Sequence, residues 1–160
     1  MHSYRTQRRI EFADTDMAGI VHFSRFFVFM ETAEHEMLRS LGTTVHFEHE
    51  GRHIGWPRVD VGCQFRSPAR LGDVLDIEVR IRRKGRRSLT YEFHFSCDGR
   101  EVAVGHIACI CCALSTPYPK SGGRLEPVEI PDFIASQLEE SPSPPAAAGG
   151  ERGGRQGDRP

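Results

Sequence analysis

The chain has 160 residues, 38% hydrophobic and 27% charged, and its 21 lysines and arginines against 22 aspartates and glutamates leave a formal charge of -1. That length fits one core-bearing domain. The charge balance leaves no global field for nucleic acid or an anionic membrane, and no apolar run approaches the roughly 18 residues of a membrane span.

In chain order, Met1 to Arg9 is charged with no apolar stretch after it, so it does not read as a secretory signal, and the cytoplasm is the expected location. Ile10 and Phe12 read as a short strand. From Ser24 to Leu41 the residues Phe26, Phe27, Phe29, Met30, Ala33, Met37, Leu38 and Leu41 recur at spacings of three and four, which predicts an amphipathic helix with Ser24 as N-cap and Gly42 as stop. Period-two alternation then predicts three strands, on Val59, Val61, Cys63 and Phe65, on Leu75, Ile77, Val79 and Ile81, and on Leu89, Tyr91, Phe93 and Phe95. A fourth run, Val102 to Leu114, follows the Asp98-Gly99 turn signal. One greasy helix and neighbouring strands joined by short turns make an α+β domain with an antiparallel sheet. Residues 1–140 form this domain, and 141–160, with four prolines, five glycines and no aromatic or branched aliphatic residue, read as a disordered tail. The odd number of cysteines, Cys63, Cys97, Cys109, Cys111 and Cys112, fits reduced thiols rather than a disulfide framework.

The densest chemistry lies in the connector Phe12-Ala13-Asp14-Thr15-Asp16-Met17-Ala18-Gly19-Ile20-Val21-His22-Phe23 ahead of the helix. A helix N-terminus offers unpaired N–H groups to a developing oxyanion, and a carboxylate beside it could serve as nucleophile or as general base on water. By local chemistry alone, Asp14 and Asp16 equally fit simple Asx turns. A second concentration, Arg80, Arg82, Arg83, Lys84, Arg86 and Arg87 around Gly85, reads either as a phosphate clamp or as a solvated hairpin tip. It lacks the interleaved aromatics of a nucleic-acid surface.

Asp14-Thr15-Asp16-x-x-Gly19-x-Val21 leading into a long helix resembles the 4-hydroxybenzoyl-CoA thioesterase family of hotdog-fold acyl-CoA thioesterases. The resemblance continues through Ser67-Pro68-Ala69-Arg70-Leu71-Gly72-Asp73, the strand Val74 to Ile81 and Arg86-Arg87-Ser88-Leu89, covering roughly residues 5 to 115. It implies a hotdog fold, a long central helix wrapped by a curved antiparallel sheet, paired edge to edge in a homodimer or homotetramer with active sites at the subunit interface. The activity it implies is hydrolysis of an acyl-CoA thioester to free acid and coenzyme A. It places the catalytic carboxylate on Asp16, the carbonyl-polarising N–H on Phe23 and the phosphate contacts on Arg86 and Arg87, and it makes Asp14 structural. Coenzyme A is then part of the substrate, and neither a cofactor nor a metal is expected. His22 stands where relatives carry an aromatic residue, and Gly85 where the phosphate-binding block can carry another arginine. For His22, pocket lining, donation to the thioester and simple packing stay open. Trp56, beside Pro57, reads as pocket border or packing anchor.

Rival readings attach to particular residues. His46, His49 and His53, at spacings of three and four, would share a helix face and make a metallohydrolase. A hotdog module that only binds acyl-CoA could dispense with Asp16, and a hotdog dehydratase needs a histidine such as His22. Cys109, Cys111 and Cys112 read as buried small hydrophobes rather than zinc ligands.

Overall fold

The computed structural model describes residues 1–114 and 124–142. The chain opens with β1 (Ser3–Arg9) and a 3₁₀ turn (Phe12–Asp14), followed by the long helix α1 (Phe23–Ser40). Then come β2 (His46–His49), β3 (Arg52–Gly55), β4 (Arg58–Phe65), β5 (Val74–Lys84), β6 (Ser88–Cys97), β7 (Arg100–Ile110), β8 (Cys112–Leu114), β9 (Leu125–Pro127) and the short α2 (Asp132–Ala135). A five-stranded antiparallel sheet runs β1-β5-β6-β7-β4, and a four-stranded sheet runs β2-β3-β8-β9.

The first strand lies earlier than the Ile10 and Phe12 pattern predicted. Ile10 is buried just past its end, and Phe12 sits exposed in the 3₁₀ turn. The expected fourth run divides at Cys111 into β7 and β8, which belong to different sheets. Of the expected tail, Ser141 donates its N–H to the Ile81 carbonyl at 2.8 Å, and residues 143–160 lie outside the described residues.

Helix α1 buries Phe26, Phe29, Met30, Ala33, Met37 and Leu38 against the inner faces of β5 and β6, where Ile77, Val79, Ile81, Tyr91, Phe93 and Phe95 are buried. It comes so close to β7 that a Cβ on Gly105 would lie 2.3 Å from Met30 Sδ. Bulges between Arg58 and Asp60, Ile81 and Arg83, and Phe95 and Ser96 interrupt the ladders, and each adds local twist that helps the sheet curve around the helix.

The helix ends in a Schellman arrangement, with Thr43 N–H on Leu38 O at 3.1 Å and Gly42 N–H on Arg39 O at 3.0 Å. Gly42 supplies the positive φ of 79° that this stop requires. Its start differs from the Ser24 expectation. The N-cap is His22, whose Nδ1 accepts the Ser24 N–H at 3.3 Å and lies 2.8 Å from Ser24 Oγ.

Candidate active site

The connector between β1 and α1 folds back on itself. Asp16 N–H bonds Ile20 O at 2.9 Å, Gly19 N–H bonds Asp16 O at 2.9 Å, and His22 N–H bonds Asp14 O at 2.9 Å. Gly19, with φ of 72°, closes this turn in the left-handed region where a side chain would be strained.

The two aspartates part company here. Asp14 is 1% exposed. One of its oxygens accepts the Glu11 N–H at 3.0 Å, and the other accepts Arg25 Nε at 2.8 Å, with Arg25 Nη2 also 2.7 Å away. Buried and paired in this way, it is a structural tie between the loop and α1. Asp16 is half-buried. Its Oδ1 accepts the Ala18 N–H at 2.8 Å, and its other oxygen has no protein partner among the described residues.

Asp16 opens onto a cleft of about 480 Å³ lined by Ile20, Val21, Phe23 and Phe26 on one side and by Phe65, Arg66, Ser67, Pro68 and Ala69 on the other. Phe23 is the first residue of α1, and its N–H has no protein acceptor among the described residues. The cleft therefore combines an available carboxylate oxygen, a free N–H at the positive end of an 18-residue helix dipole and apolar walls. Its far wall is fixed to the loop through Val21 N–H on Ala69 O at 2.8 Å, and Arg100 holds that wall through the Ser67 hydroxyl and the Pro68 carbonyl.

Among the expected site residues, Asp16 and Phe23 meet in this cleft. His22 lies beside Phe23, occupied as the helix cap, with the two rings tilted by 33° and their centroids 4.6 Å apart. Trp56 is buried in the core and does not line this cleft. Arg86 and Arg87 follow β5 at its far end. The register pairs Arg9 with Val74 and Ser3 with Arg80, so the Asp16 loop lies near the start of β5 while Arg86 and Arg87 lie past its last residue, roughly 30 Å away along the strand. The wall Phe65 to Ala69 carried no chemical signal of its own. In the sequence it is marked only by Ser67-Pro68-Ala69-Arg70, part of the stretch that resembles the family.

The rival constellations find different places. His46 and His49 lie on β2 and His53 on β3, so they share a hairpin rather than a helix face. Among the described residues no group of three histidines, cysteines, aspartates or glutamates is placed to hold a metal ion. Burial pushes the Cys109 and Cys111 thiols up to about 12 and Cys63 up to about 11, which makes them poor nucleophiles. Inside the core, Glu34 of α1 is fully buried beside Arg58, 2.6 Å from Arg58 Nη2. Burial raises its carboxyl to about 7 against the opposing pull of that guanidinium.

A curved antiparallel sheet wrapped around one long helix is the hotdog fold, here with a carboxylate beside the start of that helix. The chain belongs to the thioesterase-like superfamily, whose profile matches residues 10–138. It is 29% identical over 118 residues to a 1,4-dihydroxy-2-naphthoyl-CoA hydrolase of Synechococcus elongatus, covering 72% of this chain and 86% of that one. Among solved structures it resembles a gentisyl-coenzyme A thioesterase, with a TM-score of 0.67, 28% identity and coverage of 82% and 98%. It also resembles the 4-hydroxybenzoyl-CoA thioesterase of Pseudomonas sp. strain CBS-3, with a TM-score of 0.68, 25% identity and coverage of 84% and 98%.

Proposed function

We propose that this acyl-CoA thioester hydrolase acts on aromatic acyl groups in the Asp16 cleft, with Asp16 as the catalytic carboxylate and the Phe23 N–H polarising the thioester carbonyl. The observation that carries this reading is the meeting, in one aromatic-walled cleft, of Asp16 with the free start of α1. A thioester carbonyl placed there has its oxygen at the helix N-terminus, where charge developing on it is stabilised. Asp16 either attacks the carbonyl carbon, releasing coenzyme A thiolate and leaving an anhydride that water cleaves, or removes a proton from the water that attacks. Both routes start from an ionised carboxylate and yield the free acid and coenzyme A, with no other cofactor. Phe23, Phe26 and Phe65 give the acyl group aromatic neighbours, and the three relatives named above act on aryl-CoA thioesters by their names.

Arg86 and Arg87 enter as phosphate ligands from a second copy of the chain. They lie at the far end of β5 from their own Asp16, so the two functions meet only if another subunit supplies one of them. The edge strand β4 supports such pairing, because its Val59 is 59% and its Val61 47% exposed beside a backbone edge that is unpaired among the described residues. No helix among the described residues is long and apolar enough to cross a membrane, and the free cysteines fit a reducing, cytoplasmic setting. A panel of aromatic and aliphatic acyl-CoA thioesters with a free-thiol readout tests the proposal. Aromatic thioesters are expected to give the highest kcat/KM. Release of coenzyme A from none of them would favour a binding module.

A further inference from the structure

The six basic residues at the β5–β6 tip do different work. Arg80 is paired with Glu78, its Nη2 2.6 Å from Oε2, and Arg86 is paired with Glu129. Lys84 turns inward, donating from Nζ to the carbonyls of Leu138 at 2.7 Å and Ala135 at 3.0 Å, in the turn that follows α2, where Ala135 O also accepts the Leu138 N–H at 3.3 Å. Its backbone N–H bonds Glu140 Oε1 at 2.7 Å. The same C-terminal segment continues along the tip, with Ile130 N–H on Arg86 O at 2.9 Å. On the other side, Cys111 N–H holds Arg87 O at 2.7 Å. Lys84 has therefore committed its charge to main-chain oxygens instead of leaving it available for a ligand. The exposed Arg87 side chain has no partner among the described residues.

We propose that Lys84 is a positioning residue for coenzyme A. Its ammonium locks the C-terminal segment onto the β5–β6 turn and so fixes the direction in which Arg86 and Arg87 are presented. This rests on the reading of Arg86 and Arg87 as phosphate ligands. A charged donor shared between two carbonyls is a strong, directional tie, and a turn held at Lys84, Arg86 and Arg87 loses less freedom when it meets phosphate.

The test compares 4-hydroxybenzoyl-CoA with the N-acetylcysteamine thioester of the same acid, which lacks every phosphate. Lys84→Met is expected to raise KM for the coenzyme A thioester about tenfold, equivalent to about 1.4 kcal/mol of binding. The expected kcat is unchanged, as are both constants for the truncated thioester. Lys84→Arg, which keeps the charge and the donors, is expected to restore most of the loss. An equal change for both substrates, or none for either, would overturn the proposal. If Lys84→Met does not fold, Glu140→Ala removes the acceptor of the Lys84 N–H from the surface side of the same brace and is expected to give a smaller rise confined to the coenzyme A thioester; no such rise would overturn the proposal. Arg87→Ala tests the reading beneath it. A phosphate-specific KM rise in Arg87→Ala with none in the brace variants rejects the brace alone, whereas no rise in Arg87→Ala rejects the phosphate reading.

Discussion

Asp14 and Asp16 are two residues apart on one short loop, and burial sends them to different tasks. Asp14 uses its oxygens on Arg25 and a loop amide, whereas one Asp16 oxygen at the cleft has no partner among the described residues. Asp16→Ala is expected to lower kcat by about 10²–10⁴-fold with a modest change in KM, measured by thiol release, as expected for a group that acts in the transition state. His22 caps α1 through its ring nitrogen, so His22→Ala is expected to cost about 1 kcal/mol in denaturant unfolding. Its loss of kcat is expected to be far smaller than that of Asp16→Ala, and this separates a cap from a chemical role. Glu34 gives a pH signature. Its folded carboxyl, raised to about 7 from 4.5, holds a proton that the unfolded chain has already released, so its contribution to stability is full below pH 4.5 and falls as pH rises to 7. Relative to Glu34→Gln, the wild type is expected to lose roughly 3 kcal/mol over that window in denaturant unfolding.

Helix α1 is the element on which the site depends, because its start supplies the Phe23 N–H and its apolar face sets the depth of the cleft. Gly105 lets the helix lie close to β7. Gly105→Ala is expected to destabilise the domain by about 1–3 kcal/mol through overpacking against Met30 and the Gly62 carbonyl, measured by thermal or denaturant unfolding. The helix and the strands β5 and β6 were legible in the sequence because each buries one face, and burial writes its period into the choice of residues. Edge strand β1 is not legible in this way, since its sequence Ser3-Tyr4-Arg5-Thr6-Gln7-Arg8-Arg9 carries almost no apolar alternation. The hairpin β2–β3 was missed for a related reason, as four-residue strands cannot establish a period. Asp16 and Phe23 could be read from one local motif. Phe65 and Ala69 could not, because they reach the site only through the return of β4 and the chain after it to the helix start.

At the scale of the whole molecule, one chain separates its carboxylate from its arginine turn by most of the length of β5, and it leaves an apolar edge on β4. Val61→Asp is expected to shift sedimentation toward the monomer and to reduce thioester hydrolysis in parallel, because a charge on that edge opposes pairing of two copies. The most direct test of the proposal that two copies build the site is complementation. Asp16→Ala and the Arg86→Ala, Arg87→Ala double variant are each assayed alone at low acyl-CoA concentration, where both are expected to be nearly inactive. They are then co-expressed and assayed as mixed oligomers. Activity is expected to reappear in the mixture, because some sites then join an intact Asp16 from one copy to intact arginines from another. Mixed oligomers no more active than the separate variants would rule out a shared site.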